Sequence, residues 1–150
     1  MSEIKKGLYN LCIVQVQERI TRLQTEMKAL KVSAETDTKS SMGDKYETAR
    51  EMINLEKGKI DQQLAEVLKV KQVLDSIDPQ KSYASCSLGS LVKTSNATYF
   101  LSISIGKVSL EESDHFIISP MSPIGQQLLD KKTGDSFSFA GKKVQILAVE

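Results

Sequence analysis

Residues 46–77 read YETAREMINLEKGKIDQQLAEVLKVKQVLDSI, and this stretch decides the fold of the N-terminal half of the chain. Mostly apolar side chains recur in it at alternating spacings of three and four residues. The repeat positions are Tyr46, Ala49, Ile53, Glu56, Ile60, Gln63, Val67, Val70, Leu74 and Ile77. Such a repeat is typical of the seam of a coiled coil. A helix of this length spans roughly 45–50 Å, so it needs a partner along its whole seam.

A second heptad stripe, upstream, supplies that partner. Its positions are Tyr9, Ile13, Val16, Ile20, Leu23, Met27 and Leu30. Between the two stripes, residues 31–45 read KVSAETDTKSSMGDK, where the apolar period stops and residues typical of caps and turns accumulate. Asp44 followed by Glu47 resembles a capping box, and Ser41 is an alternative cap. We therefore expect residues 1–78 to form an antiparallel coiled-coil hairpin with its tip at 31–45.

The pattern changes after Pro79, because proline disfavours helix at the preceding residue, Asp78. Apolar and small residues then alternate with a period of two, which predicts short strands. The predicted strands include residues 99–106 and 116–118, and a closing hairpin turns at Ala140-Gly141. Ser95-Asn96 is predicted as another turn.

One short helix interrupts these strands. Ser122 is its predicted N-cap and Pro123 its first residue, and the apolar face consists of Ile124, Leu128 and Leu129. The chain is therefore predicted to be an α+β protein. Its C-terminal domain, residues 79–150, would contain an antiparallel sheet and one helix.

Composition excludes several classes of function. The 150-residue chain has a net charge of +1, which argues against nucleic-acid binding through bulk electrostatics. Cys12 and Cys86 could form a disulfide, but two reduced, partly buried thiols are the expected state, and no His/Cys cluster predicts zinc. His115, the single histidine, follows three acidic residues within four positions and is expected to be exposed.

No apolar run suggests a signal peptide or a membrane span, so we expect a soluble, cytoplasmic protein without a membrane partner.

Two motifs carry a resemblance to a known family. Residues 46–51, YETARE, resemble the Tyr-x-x-Ala-Arg/Lys-Glu run of the Gre family of bacterial transcript-cleavage factors. The more specific motif is ISPMSPIG at 118–125, followed by Leu128, Lys131-Lys132 and Gly134-Asp135. It resembles the family's Ile-Ser-x-x-Ser-Pro-Ile-Gly-x-x-Leu-x-x-Lys-x-x-Gly-Asp segment. The order of helical hairpin and small domain also agrees with that family.

The resemblance implies an FKBP-like C-terminal domain that docks at the rim of the secondary channel of bacterial RNA polymerase. The coiled coil would reach toward the polymerase active site and, indirectly, the 3′ end of the nascent RNA. In the family, acidic residues at the tip help to hold a catalytic Mg²⁺ shared with the polymerase, and the factor has no cofactor of its own. By position, the implied docking residues are Ser119, Ser122, Pro123, Ile124 and Gly125.

The tip departs from the family pattern. The family sequence is Asp-x-x-Glu-Asn-Ala-Glu-Tyr, and alignment on Tyr46 places Lys39 and Met42 at the two acidic positions. Neither side chain can supply the carboxylate oxygen that Mg²⁺ prefers. The acids that remain at the tip stand at other spacings: Glu35, Asp37 and Asp44. We therefore expect stimulation of transcript cleavage to be weak or absent.

Each candidate residue also has a structural interpretation. Asp37 is either a displaced metal ligand or a solvated loop acid, and Asp44 is either a tip acid or the helix cap. Lys39, Lys45 and Arg50 either meet RNA phosphates or are ordinary surface charges. Pro123 and Ile124 could likewise be docking residues, or a helix start with one core residue.

Three functions are compatible with these patterns. The first is a Gre-like elongation factor that acts as a monomer on RNA polymerase and is not an enzyme alone. The second is a structural or chaperone-type module that uses the coiled coil as an interaction arm. The third, peptidyl-prolyl isomerase activity, is disfavoured because the aromatic residues of the C-terminal part mostly occupy core-strand positions.

Overall fold

The computed structural model describes residues 3–40 and 44–150, with side chains for 3–35 and 47–150. The described elements are three helices and six strands. In chain order they are α1 (Glu3–Ser40), α2 (Asp44–Asp75), β1 (Leu91–Thr94), β2 (Thr98–Leu101), β3 (Gly106–Leu110), β4 (Ser113–Ile118), α3 (Pro123–Leu128), β5 (Ser136–Phe139) and β6 (Lys142–Val149). The predicted α+β class is confirmed.

Helices α1 and α2 form the predicted antiparallel hairpin. The Tyr9 hydroxyl, early in α1, donates a hydrogen bond of 3.1 Å to the backbone oxygen of Leu74, late in α2. Only an antiparallel pair brings these two positions together. Apolar side chains from both heptad stripes are buried, namely Val16, Ile20, Leu23, Ile60, Val67 and Leu74. The heptad repeats therefore identify the helices and most of the packed positions correctly.

The start of α1 also buries side chains that lie beside the predicted seam. Ile13, predicted in the seam, is 39% exposed, whereas Leu8 and Cys12 are fully buried. The Cys12 thiol lies 3.7 Å from the Ser102 hydroxyl, and Leu110 lies against Gly7. The heptad prediction considered α2 as the only partner, but the first turns of α1 also pack against residues of the sheet domain.

The predicted loop at 31–45 is wrong over its first ten residues, because α1 continues to Ser40. The apolar stripe ends near Leu30, but residues 31–40 contain neither glycine nor proline. Such a stretch can stay helical with all faces in solvent, so the end of an apolar period does not mark the end of a helix. Helix α2 begins at Asp44, the residue predicted as its cap.

The six strands form one sheet in the order β3-β4-β2-β1-β6-β5. The sheet is mixed, because β2 and β4 are parallel, with Tyr99 opposite Phe116. The expectation of a wholly antiparallel sheet is therefore wrong at this one pair. The remaining pairs are antiparallel, and the closing hairpin β5–β6 turns at Ala140-Gly141 as predicted.

The predicted strand at 99–106 is two strands. β2 ends at Leu101 and β3 begins at Gly106, which adopts a φ of +98° that favours glycine. β3 then pairs with β4 through a tight turn at Glu111 and Glu112, whose φ values are 52° and 64°. Turns with two positive φ values usually carry Asn-Gly or Asp-Gly, so this Glu-Glu turn gave no sequence signal.

The two sheet faces bury different sets of side chains. One face packs with α3 in a cluster that includes Cys86, Val92, Leu101, Leu128, Phe137, Val144 and Ile146. On the other face Phe100 pairs with Leu91 and with Ile117, and all three are buried. Strand alternation also places His115 on this second face, two residues before Ile117. Its side chain is buried, so the expectation that it is exposed is wrong.

The chain divides into two compact units. The first consists of Met1–Val14 with Gln72–Glu150, and the second is Gln15–Lys71. Buried Lys5 contributes to the first unit, since its ammonium donates to the backbone oxygens of Lys81 and Glu150 at 2.8 and 3.1 Å. The Lys5 ammonium also lies 4.7 Å from the centroid of the Tyr83 ring. The predicted boundary after Asp78 divides the chain once, whereas the first compact unit combines two separated segments of the chain.

Candidate functional site

The segment between β4 and α3 is shaped by a helix cap. Ser122 adopts an extended conformation, with φ −66° and ψ 158°, and its hydroxyl accepts a hydrogen bond from the backbone N–H of Gly125 at 3.1 Å. Pro123 follows as the first helical residue, where its missing N–H costs nothing. The Ser-Pro dipeptide therefore starts α3, as the sequence predicts.

The two serines of the motif are occupied within the segment. The Ser122 hydroxyl donates to the backbone oxygen of Ser119 at 2.7 Å, and the Ser119 hydroxyl accepts from the backbone N–H of Met121 at 3.0 Å. The Ser122 N–H also donates to the Ser119 oxygen, at 3.0 Å. These bonds hold residues 119–122 in a compact turn. Both hydroxyl groups therefore help to shape the turn, and the Ser122 hydroxyl both donates and accepts within it.

Gly125 is buried because the same turn folds over it. A Cβ added at Gly125 would collide with the backbone oxygen of Ser119 and would lie 2.8 Å from the Ser122 hydroxyl oxygen. Glycine is therefore required for the close approach of the turn to the helix. Gly125, one of the predicted docking residues, thus contributes only by allowing the turn to approach the helix closely.

The remaining motif side chains divide between core and solvent. Ile124 is half-buried and packs against the cluster that contains Leu128, while Pro123 is exposed. Met121, which is not among the predicted docking residues, is 75% exposed. Its position outside the apolar period of α3 was the only sequence signal for that exposure.

The later part of the motif closes another turn. The backbone N–H of Lys132 donates to the Asp135 carboxylate at 2.8 Å, and Gly134 adopts a φ of +96°. The Gly134 N–H also donates to the Ile146 oxygen at 2.8 Å, which ties this turn to β6. The Gly-Asp pair of the motif therefore has a structural role in this domain.

A comparison with protein families matches the same part of the chain. Residues 92–150 match the family described as "Transcription elongation factor, GreA/GreB, C-term". Residues 92–150 are therefore similar to the C-terminal domain of GreA/GreB elongation factors. The match includes the motif at 118–125, so the resemblance inferred from that motif is confirmed. A comparison with curated proteins gave no match to the chain.

The helical hairpin that precedes this GreA/GreB domain carries the tip candidates, and the match does not extend to it. Glu35 is exposed on α1 and Arg50 is exposed on α2. Asp37 and Lys39 lie within the span of α1, and Asp44 and Lys45 within the first turn of α2. Their side chains, and Met42 as a whole, lie outside the described residues, so their predicted roles stay predictions.

No metal site is evident in the part of the chain that the structure describes. Within residues 3–40 and 44–150, no group of three or more His, Cys, Asp or Glu side chains could hold an ion. At the tip, the two residues aligned with the family's acids are lysine and methionine, and this pair does not fit Mg²⁺. No chemical step through Mg²⁺ can therefore be assigned to these two residues.

Burial favours the neutral thiol form of both cysteines. Burial raises the pKa of the Cys12 thiol and of the Cys86 thiol to about 11, and both cysteines are free. A thiol with so high a pKa has little thiolate at neutral pH, so neither cysteine is a good nucleophile.

Among the described residues, no helix combines the length and the apolar composition that a membrane span needs.

Proposed function

We propose that this protein is a Gre-like elongation factor that binds RNA polymerase through its secondary channel. The match of residues 92–150 to the GreA/GreB C-terminal domain is the observation that carries this proposal. A long helical hairpin precedes that domain in the chain, in the order expected of a Gre-like factor. In this proposal the protein acts as a cytoplasmic monomer, and the polymerase supplies the active site.

The docking surface in this proposal is the start of α3. Pro123 is exposed there, whereas Ile124 packs against the core and the two serines bond within the turn. Direct contact with the polymerase therefore falls to Pro123 and its exposed neighbours. Ser119, Ser122 and Gly125 would contribute by fixing the shape of that surface.

The test is a substitution that places a single charge on this surface and keeps the fold intact. Glutamate is compatible with the first turn of a helix, because the helix dipole favours negative charge there. We expect Pro123→Glu to weaken binding to the cognate polymerase by about tenfold, since a buried unpaired charge is costly at an interface. The measurement is affinity for the purified core enzyme by titration of a labelled full-length chain.

Ser138→Glu is the matched control, because Ser138 is exposed on β5 and the variant adds the same charge. Native circular dichroism of both variants makes their affinities comparable. Equal affinity of wild type, Pro123→Glu and Ser138→Glu would remove the start of α3 from the interface. Failure of the wild-type chain to bind any polymerase preparation would refute the proposed function.

The effect of binding, in this proposal, comes from occupying the channel. Without the family's two tip acids, cleavage stimulation would be weak or absent. The protein would instead alter pausing or compete with a true cleavage factor for the same channel.

A further inference from the structure

Met121 stands out among the described side chains as an apolar group presented to solvent. It is 75% exposed, the largest fraction among the exposed large hydrophobic residues of the described chain. A methionine in a flexible loop would need no explanation, because single exposed apolar residues are normal on protein surfaces. Met121 is different because its backbone is held in place.

Both backbone groups of Met121 are hydrogen-bonded. Its N–H donates to the Ser119 hydroxyl at 3.0 Å, and its oxygen accepts from the Gln126 side-chain amide at 3.1 Å. The first bond comes from the turn before Met121 and the second from helix α3 after it. The side chain is therefore projected from a fixed backbone, so little backbone entropy remains to be lost when a partner binds it.

The chain segment that contains Met121 carries no charge. Residues 116–129 read FIISPMSPIGQQLL, without Asp, Glu, Lys or Arg, in a chain with 26% charged residues. Within this stretch Pro123, Gln126 and Gln127 are exposed beside Met121. The centres of protein–protein interfaces are depleted of charge and enriched in methionine. A nucleic-acid contact would instead require cations that face phosphates.

We infer that Met121 is the apolar anchor of the docking surface and inserts into an apolar pocket at the rim of RNA polymerase. This inference rests on the proposed function and adds to it the residue that determines affinity. Met121 is unbranched and polarizable, so it can fill an irregular pocket. Because the backbone is fixed before binding, the contact is pre-organised in the way that favours energetic hot spots.

The experiment measures affinity of full-length variants for the cognate core polymerase. Met121→Ala removes the side chain, Met121→Leu keeps most of its apolar volume, and Leu147→Ala is the control. Leu147 is a suitable control because it is also an exposed apolar residue of the C-terminal domain, on β6. We expect Met121→Ala to weaken binding at least about tenfold, and Met121→Leu and Leu147→Ala to stay within about threefold of wild type.

Salt dependence provides a second readout. If Met121 fills an apolar pocket, the affinity ratio of wild type to Met121→Ala stays constant between low and high salt, because no charge is removed. Native denaturation midpoints for all variants exclude a folding defect.

The outcomes separate this inference from the proposed function. Wild-type binding that Met121→Ala leaves unchanged would overturn the anchor and leave the Gre-like function intact. Equal losses in Met121→Ala and Met121→Leu would overturn apolar burial as the source of affinity. A wild-type chain that does not bind polymerase would overturn both proposals.

Discussion

His115 is the residue whose environment conflicts most with its chemistry. It is 3% exposed, and neither ring nitrogen has a hydrogen-bond partner among the described residues. Across the ladder it faces Val108, and it shares a sheet face with buried Ile117. An imidazole in such surroundings has lost its hydration without gaining a bond, which costs about 1–3 kcal/mol.

We expect His115→Leu to stabilise the protein by about 1 kcal/mol, because it removes two unsatisfied polar atoms and keeps a similar volume. Urea unfolding of full-length wild type and variant gives the difference in free energy of unfolding. His115→Asn is the control, since it keeps a polar group at the site and should give no gain. A clear loss of stability in His115→Leu would mean that the imidazole has a polar partner.

Residue-scale features could be predicted from sequence only where the signal was local. Ser122 and Pro123 were assigned as cap and first helical residue because those roles depend on the adjacent backbone. The burial of His115 and Lys5 depends on residues far away in the chain, such as Glu150 for Lys5. The three acids before His115 suggested a solvated segment, but strand alternation turns its side chain inward.

Among the elements, the hairpin depends on its heptad seam. Ile60 is 6% exposed on α2, at a position predicted for the seam, whereas its neighbour Lys59 points to solvent and pairs with Glu56 at 3.3 Å. An exposed pair of this kind contributes little to stability. The adjacent residues Ile60 and Lys59 therefore offer a matched comparison of seam and surface.

Ile60→Ala should lower the free energy of unfolding by about 2–4 kcal/mol, the usual effect of truncating a buried isoleucine. Lys59→Ala should change it by less than about 0.5 kcal/mol. The measurement is denaturant unfolding followed by helical circular dichroism. If the two substitutions destabilise the helices equally, the assignment of the seam is wrong.

Periodicity predicted element type better than element pairing. The heptads located both helices, and the period of two located β2, β4 and the closing hairpin. The parallel pairing of β2 with β4 brings together strands separated by β3, and no local pattern encodes that choice. The break between β2 and β3 was missed for a related reason, since the apolar alternation continues across the bend.

On the scale of the whole molecule, the proposed function divides between two regions of the chain. In that proposal, the GreA/GreB-like domain would recognise the polymerase through the start of α3, and the hairpin tip would determine what happens to the RNA. The family match covers the first region and not the second. Docking and cleavage are therefore separate hypotheses, and cleavage can be absent while docking persists.

A cleavage factor must help to position a metal ion that activates water for attack on a phosphodiester. At the aligned tip positions, Lys39 would repel Mg²⁺ and Met42 would offer only a soft thioether. Asp37 is the one tip acid at 36–45 without a predicted capping role, and a single displaced carboxylate binds Mg²⁺ poorly because that ion demands near-octahedral geometry. We therefore predict weak or no stimulation of cleavage by the wild-type chain.

The assay is cleavage of a stalled, backtracked complex of the cognate polymerase, with wild type, Asp37→Ala and the double variant Lys39→Asp/Met42→Glu. Polymerase affinity is measured for each chain in parallel, so that loss of cleavage is not confused with loss of docking. Cleavage that appears only in the double variant would support both the docking pose and the loss of chemistry, because two carboxylates restore the donor set that Mg²⁺ requires. Strong wild-type cleavage that disappears in Asp37→Ala would contradict the prediction and identify Asp37 as the metal ligand.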